Sequence, residues 1–107
     1  MLGTKPGDEG FELENVVYLE LLRRGYEVYV GKFDDYEVDF VTIEKGQKKY
    51  YQVSRNTVDN DVLQRELRPL KLIKDSYPKY LLTLDNERPS NIDGIVKMNA
   101  LDFLKES

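Results

Sequence analysis

The segment from Glu37 to Ser54 constrains the fold more than any other part of this sequence, because a glycine turn separates two runs of strand-forming residues. Lys45-Gly46 is typical of a two-residue hairpin turn, in which glycine supplies a positive φ angle. Such a turn pairs residue 44 with 47 and, counting back along both strands, Asp39 with Gln52. A four-residue loop gives the same register, whereas a three-residue loop shifts it by one and separates the two side chains. In the favoured register their Cβ atoms lie about 5 Å apart.

The hairpin is expected to have one polar face and one apolar face, because side chains alternate along a strand. The residues expected on the polar face are Glu37, Asp39, Gln52 and Ser54, with Glu37 opposite Ser54, and those on the apolar face are Val38, Phe40 and Val53. The polar face therefore holds the first candidate functional residues.

Helical spacing of apolar residues predicts one long helix on each side of the hairpin. The first helix follows a tail, with Asp8 as its cap, and ends at Gly25; the second is capped by Asp59, and Pro69 inside it predicts a kink or break. Strands are expected at 26–32, 37–43, 48–54, 80–84 and 92–98, with a polar loop at 85–91 and a closing helix at 100–104. The order α-β-β-β-α-β-β-α predicts an α/β fold with a mixed central sheet flanked by helices.

Composition narrows the chemistry that this chain can perform. Its 107 residues fit one domain, taken as residues 10–107 after a tail at 1–9. The sequence has no cysteine and no histidine, which excludes disulfides, thiolate or imidazole zinc sites and a Ser-His-Asp triad. Any metal would need oxygen ligands, so Mg or Mn is the expected type of ion. The absence of a membrane-length apolar run or a leader, together with the absence of cysteine, indicates a cytoplasmic protein.

Glu14 is a candidate ligand from the first helix. It borders the buried stripe formed by Val17 and Leu21, so a helix packed over the hairpin could aim it at Asp39. Two carboxylates and the Gln52 amide oxygen would then surround a position suited to a hard cation. The alternative is a solvated sheet face with a helix-stabilising Glu14, which spacing alone slightly favours.

The second helix offers Arg65 and Glu66 as either a site pair or an exposed helical pair. The net charge of the chain affects how well it can bind nucleic acid. At −4 it argues against strong nonspecific binding to nucleic acid, although a local basic groove remains compatible with it.

An ordered set of short phrases resembles a known family over nearly the whole chain after the tail. The chain is similar to the C-terminal domain of unknown function found in bacterial and archaeal AAA-type ATPases, which is assigned to the PD-(D/E)XK nuclease superfamily. The phrases are Leu13-Glu14-Asn15, Leu22-Arg23-Arg24-Gly25-Tyr26, Glu37-Val38-Asp39-Phe40, Tyr51-Gln52-Val53-Ser54, Arg65-Glu66-Leu67 and Asp75-Ser76-Tyr77-Pro78-Lys79.

The resemblance implies a restriction-endonuclease-like α-β-β-β-α-β core and a set of site positions. It places the helix acid at Glu14, the motif Asp at Asp39, the (D/E) position at Gln52 and the lysine position at Ser54. In active members the acids bind magnesium, and the lysine positions the attacking water. Ser54 has no positive charge, so Arg65 or Lys79 would have to supply one to the site from elsewhere in the fold. Losing such a donor typically costs several kcal/mol of transition-state stabilisation.

The expected function is therefore a nuclease-like accessory domain of an AAA-type ATPase, weakly active or inactive, that targets nucleic acid or a partner. The chain has no Walker-type phosphate-binding motif, so the ATPase would be an attached or associated module. The alternatives are a metal-dependent DNA endonuclease and a protein-interaction domain with no nucleic-acid role.

Overall fold

The computed structural model describes residues 9–106, with side chains from residue 12 onward. Three helices and six strands alternate as α-β-β-β-α-β-β-β-α. In chain order the elements are α1 (Glu9–Arg23), β1 (Glu27–Lys32), β2 (Glu37–Glu44), β3 (Gln47–Val53), α2 (Asn60–Leu72), β4 (Lys79–Thr83), β5 (Ser90–Ile92), β6 (Ile95–Asn99) and α3 (Ala100–Lys105). The expected α/β class is confirmed, and the expected Asp8 cap lies outside the described residues.

A single mixed sheet with the order β1-β2-β3-β4-β6-β5 forms the centre of the fold. β3, β4 and β6 run parallel, whereas β1, β2 and β5 pair antiparallel with their neighbours. Adjacent residues of β3 belong to different cores: Tyr51 packs with α1 and α3, and Tyr50 packs with α2. Helices therefore cover both faces of the sheet, as α/β packing requires.

The end of α1 is set by Gly25, whose φ is 86°. The Tyr26 amide donates to Leu21 O and the Gly25 amide to Leu22 O, which is the hydrogen-bond pattern of a Schellman cap. The chain then turns directly into β1. This geometry directs α1 back across the sheet over β2 and β3.

The β2–β3 hairpin has the predicted two-residue turn. Lys45 and Gly46 have φ angles of 53° and 78°, as a type I′ turn requires. The observed pairs, such as Val41–Tyr50 and Glu44–Gln47, confirm the predicted register.

A β-bulge between β1 and β2 corrects the expected faces of the hairpin. Pairing passes from Tyr29–Val41 to Gly31–Val38, so β2 has one more residue than β1 over this stretch. Val38 consequently packs with α2, while Phe40 packs on the α1 face. The expectation that Val38 and Phe40 share a face is wrong, because a bulge reverses the alternation of side chains.

Helix α2 begins as predicted, with the Asp59 carboxylate accepting from the Asp61 amide at 2.8 Å. It then continues through Pro69 to Leu72. Of the expected kink or break, the break is wrong, because proline removes only one hydrogen bond, to the carbonyl of Arg65, and Arg65 is on the solvent-exposed side of the helix.

The segment 85–98 contains a strand that the sequence analysis missed. Ser90–Ile92 forms β5 and pairs with β6 through a turn at Asp93-Gly94, whose φ angles are 52° and 88°. The predicted strand over 92–98 thus spans the end of β5, the turn and most of β6. Within residues 9–106, no helix is both long enough and apolar enough to cross a membrane.

Candidate functional site

The candidate site lies at the edge of the sheet where β2 and β3 separate. The carboxyl ends of the parallel strands β3, β4 and β6 meet at this edge, and the amino end of antiparallel β2 joins them. Ligands of open α/β sheets bind at the carboxyl ends of the strands. Because α1 and α2 cover opposite faces, side chains of both helices can approach this edge.

The hairpin brings Asp39 and Gln52 together, as its register predicts. Backbone pairing ends at Phe40–Tyr51. Beyond that pair, the Asp39 amide donates to Gln52 Oε1 at 2.9 Å, and the Val53 amide donates to Asp39 Oδ2 at 2.8 Å. Each side chain is bonded to the backbone of the opposite strand, so both are fixed in orientation.

The strand ladder does not extend to Glu37 and Ser54, which corrects their expected pairing. The Ser54 amide donates to Leu82 O of β4 at 3.0 Å, and Glu37 pairs with Lys32 of β1. The two strands therefore diverge after Asp39 and Gln52, which opens the edge of the sheet beside these two side chains.

Glu14 reaches the site from α1, as expected. It is partly buried, and a side-chain hydrogen bond joins it to Asp39. Burial raises the pKa of Asp39, hydrogen bonds from Val53 and Glu14 only partly offset that rise, and the charge of Glu37 adds to it. Asp39 is therefore a carboxyl group whose ionised form lacks a sufficient counter-charge.

Glu66 of α2 lies near the same cluster; the sequence analysis offered it, together with Arg65, as either a site pair or an exposed helical pair. Burial raises the pKa of the Glu66 carboxyl and the charge of Asp39 raises it further, while Arg65 and a hydrogen bond from Gln52 lower it. The signal was available, since Glu66 borders the stripe of Leu63, Leu67 and Leu70 as Glu14 borders that of α1.

Ser54, which the sequence resemblance places at a lysine position, is partly buried just beyond the end of β3. Alternation along β3 places Ser54 on the same side as Gln52. Of the two cations considered as substitutes, Arg65 is exposed and its charge acts on Glu66.

Lys79, the other substitute, lies at the opposite edge of the sheet. It begins β4 beside Tyr50, and its ammonium group donates to Asp75 O at 2.7 Å and to Tyr77 O at 2.9 Å. An ion pair with the Asp75 carboxylate at 3.2 Å completes this arrangement. Lys79 is therefore committed to a structural role away from Asp39.

The donor set suits a hard cation only in part. Carboxylates are the ligands that Mg and Mn prefer, and Glu14 and Asp39 supply two of them. Gln52 Oε1 already accepts a hydrogen bond from the backbone. Among the side chains of residues 12–106, no three acidic groups stand close enough together to hold a metal ion.

A second polar cluster, which the sequence analysis missed, lies farther along the same edge. The buried Asp85 carboxylate accepts from the Thr57 amide at 3.1 Å and pairs with the Lys97 ammonium at 3.1 Å. Glu87 also contacts Lys97, at 2.6 Å, and Leu84 donates to the carbonyl oxygen of residue 55 at 3.0 Å. These contacts attach the loop that leads into α2 to the ends of β4 and β6.

This chain is similar to one part of a longer protein. An uncharacterized protein of Haemophilus influenzae (strain Rd) is 39% identical to it over 103 residues, which are 96% of this chain and 25% of the relative. The chain therefore spans about a quarter of the length of the curated relative that it matches. No family model matches the sequence.

Proposed function

We propose that this chain is a PD-(D/E)XK nuclease-like accessory domain of an AAA-type ATPase, with impaired or absent catalysis and a role in targeting nucleic acid or a partner. One observation carries the proposal: Glu14, Asp39 and Gln52 come from α1, β2 and β3 to one point where the hairpin opens. These are the positions of the acids in the family that the sequence resembles. The element order α-β-β-β-α-β that precedes β5 supports it.

Impaired catalysis is proposed because neither the expected lysine nor Lys79 supplies a cation beside Asp39 among the residues that the structure describes. Ser54 stands where the family has lysine, and Lys79 is held by oxygens at the opposite edge. Removing one donor that stabilises the charge developing in a transition state costs about 2.7–4 kcal/mol, or two to three orders of magnitude in rate, where it has been measured for an oxyanion hole. The relative about four times as long as this chain supports a role as one domain of a larger protein.

The test is nicking of supercoiled plasmid and cleavage of single-stranded DNA with magnesium or manganese present. We expect the chain to act no faster than its Asp39→Ala variant in both assays. Metal-dependent turnover that Asp39→Ala abolishes would instead show a competent nuclease.

A metal-dependent DNA endonuclease is the second candidate, and Glu66 is the observation that favours it. Its carboxyl group lies near enough to Asp39 for the charge of Asp39 to raise its pKa, and it belongs to the helix that also carries Arg65. This candidate requires a cation at the site. Calorimetry that detects no binding of manganese at millimolar concentrations would exclude it.

A further inference from the structure

The outer face of α1 carries a row of four exposed side chains, called here the α1 seam: Glu12, Val16, Leu19 and Arg23. They follow one another at steps of four, three and four residues, so they lie within about 60° of arc on one side of the helix. The two in the middle are large and apolar, with Val16 43% exposed and Leu19 55% exposed. Alternating steps of three and four residues are the spacing at which two helices pack side by side.

The α1 seam lies on the side of the helix that the fold does not use. Leu13, Val17 and Leu21 are buried in the core on the other side. Glu14, the acid of the candidate site, follows Leu13 on that inner side. A partner that covers the α1 seam would therefore leave both the core and the candidate site undisturbed.

The two ends of the α1 seam carry opposite charges, which makes the seam complementary to itself. Antiparallel packing of two α1 helices about a two-fold axis places Glu12 against Arg23 of the second copy and Val16 against Leu19 of the second copy. Because the arrangement is symmetric, each of these pairs forms twice. A parallel arrangement would instead place each charged residue against its own like, where equal charges repel.

The positive charge at the end of the α1 seam is only partly neutralised within the helix. The Glu20 carboxylate lies 2.8 Å from the Arg23 guanidinium and 2.7 Å from that of Arg24, so one acid serves two arginines. The Arg23 side chain is 58% exposed. It can therefore contact an acid on a second copy while its bond to Glu20 is kept.

We propose that the α1 seam is a self-association surface, on which a second copy of this chain packs its own α1 antiparallel about a two-fold axis. This inference does not depend on the proposed function. The seam extends over about 17 Å of the helix axis. One helix face of this length makes a small interface, so the dissociation constant is expected to be about 0.1–1 mM.

Sedimentation equilibrium of the unmodified chain tests the association itself. At low salt, and over concentrations from about 10 µM to 1 mM, the mass is expected to rise from that of a monomer towards that of a dimer. A chain that stays monomeric throughout would overturn the proposal, and would leave the seam to be covered by another part of a longer protein.

Leu19→Lys tests the apolar middle of the α1 seam. The variant is expected to associate at least about tenfold more weakly, because both copies lose a buried leucine and gain a charge there. Val58→Lys is the matched control, since Val58 is 77% exposed and lies outside α1, and it is expected to leave the dissociation constant within about twofold. Association of Leu19→Lys as strong as that of the control would overturn the proposal.

The charged ends are tested by Glu12→Lys and Arg23→Glu, each measured alone and then in an equimolar mixture. Each variant alone brings two pairs of like charges together and is expected to associate about tenfold more weakly than the unmodified chain. In the mixture, both pairs between unlike copies are again of opposite charge, so association is expected to recover. Mixing does not alter the fold of either variant, so recovery reports only on the contact between copies. A mixture that associates no better than either variant alone would overturn the proposal.

Discussion

Lys97 shows at the scale of one residue how a buried charge is held in place. Its ammonium lies 3.1 Å from the Asp85 carboxylate and 2.6 Å from that of Glu87, and both Lys97 and Asp85 are buried. Lys97→Met is expected to lower the free energy of unfolding by about 3–5 kcal/mol, because Asp85 is left as an uncompensated charge. Urea denaturation measures this. The control is Lys71→Met, which removes an exposed pair with Asp93 and is expected to cost about 0–1 kcal/mol.

The ionisation of Asp85 also makes the stability of the fold depend on pH. Burial would raise its pKa, but hydrogen bonds from Thr57 and the nearby Lys97 outweigh burial, so the pKa is lowered. A carboxyl group with a lowered pKa stabilises the fold above its unfolded pKa of about 3.9 and loses that contribution as the pH falls through its folded value. The difference in free energy of unfolding between the unmodified chain and Asp85→Asn is therefore expected to shrink below about pH 4. A difference that stays constant from neutral pH to pH 3 would contradict the lowered pKa.

Helix α2 continues past a proline, which lowers the stability of the helix. Pro69 cannot donate to the carbonyl of Arg65, and helix-interior proline costs about 3 kcal/mol. Pro69→Ala is expected to raise the free energy of unfolding by about 1–3 kcal/mol, since it restores that bond while loosening the unfolded chain by about 0.4–1 kcal/mol. Pro78→Ala, just before β4, is the control that changes only the unfolded chain. No gain from Pro69→Ala would mean that the missing hydrogen bond imposes no net cost on the helix.

The bulge between β1 and β2 depends on Gly31, which lies against the partner strand. A Cβ atom at this position would lie 2.8 Å from Val41 Cγ2 and 3.2 Å from the Val38 carbonyl oxygen. Gly31→Ala is expected to destabilise the chain by about 1–3 kcal/mol, because the backbone of a bulge cannot move aside freely. Val30→Ala, at an exposed neighbouring position, is the matched control, expected within about 0.5 kcal/mol. Equal urea midpoints for the two variants would show that the bulge tolerates the methyl group.

These elements show which features could be predicted from the sequence. The hairpin register and the meeting of Asp39 with Gln52 follow from a local signal, the two residues of the turn. The Asp93-Gly94 turn is an equally strong signal, and it was missed because the residues before it are polar. The bulge could not be predicted, since Gly31 meets Val41 only after β1 and β2 have paired.

The candidate site was predictable where it depends on the hairpin and less so where it depends on packing. Glu14 could be placed because it borders the buried stripe of the first helix. Glu66 has the same local signature, but its approach to Asp39 depends on how α2 crosses the sheet. The second cluster joins Thr57, Asp85 and Lys97 across loops and strands, and no short spacing predicts that.

The charge of the whole molecule sets an expectation for nucleic-acid binding. The chain has 16 basic and 20 acidic residues. Among the described residues, basic side chains already paired with carboxylates are Arg23, Arg24, Lys71, Lys79 and Lys97. Because the net charge is −4 and five of the 16 basic side chains are already paired, the domain is expected to contact only about two phosphates.

A shift assay with duplex and single-stranded DNA, repeated at 50 and 200 mM salt, tests this expectation. Because affinity falls with salt in proportion to the number of phosphates neutralised, about two contacts predict roughly a tenfold loss between these concentrations. A loss of affinity of about a thousandfold or more would mean six or more phosphate contacts, and hence a basic groove on the surface of the domain. The absence of any DNA complex even at 50 mM salt, where contacts to a phosphate backbone are stronger than at 200 mM, would instead favour a protein partner.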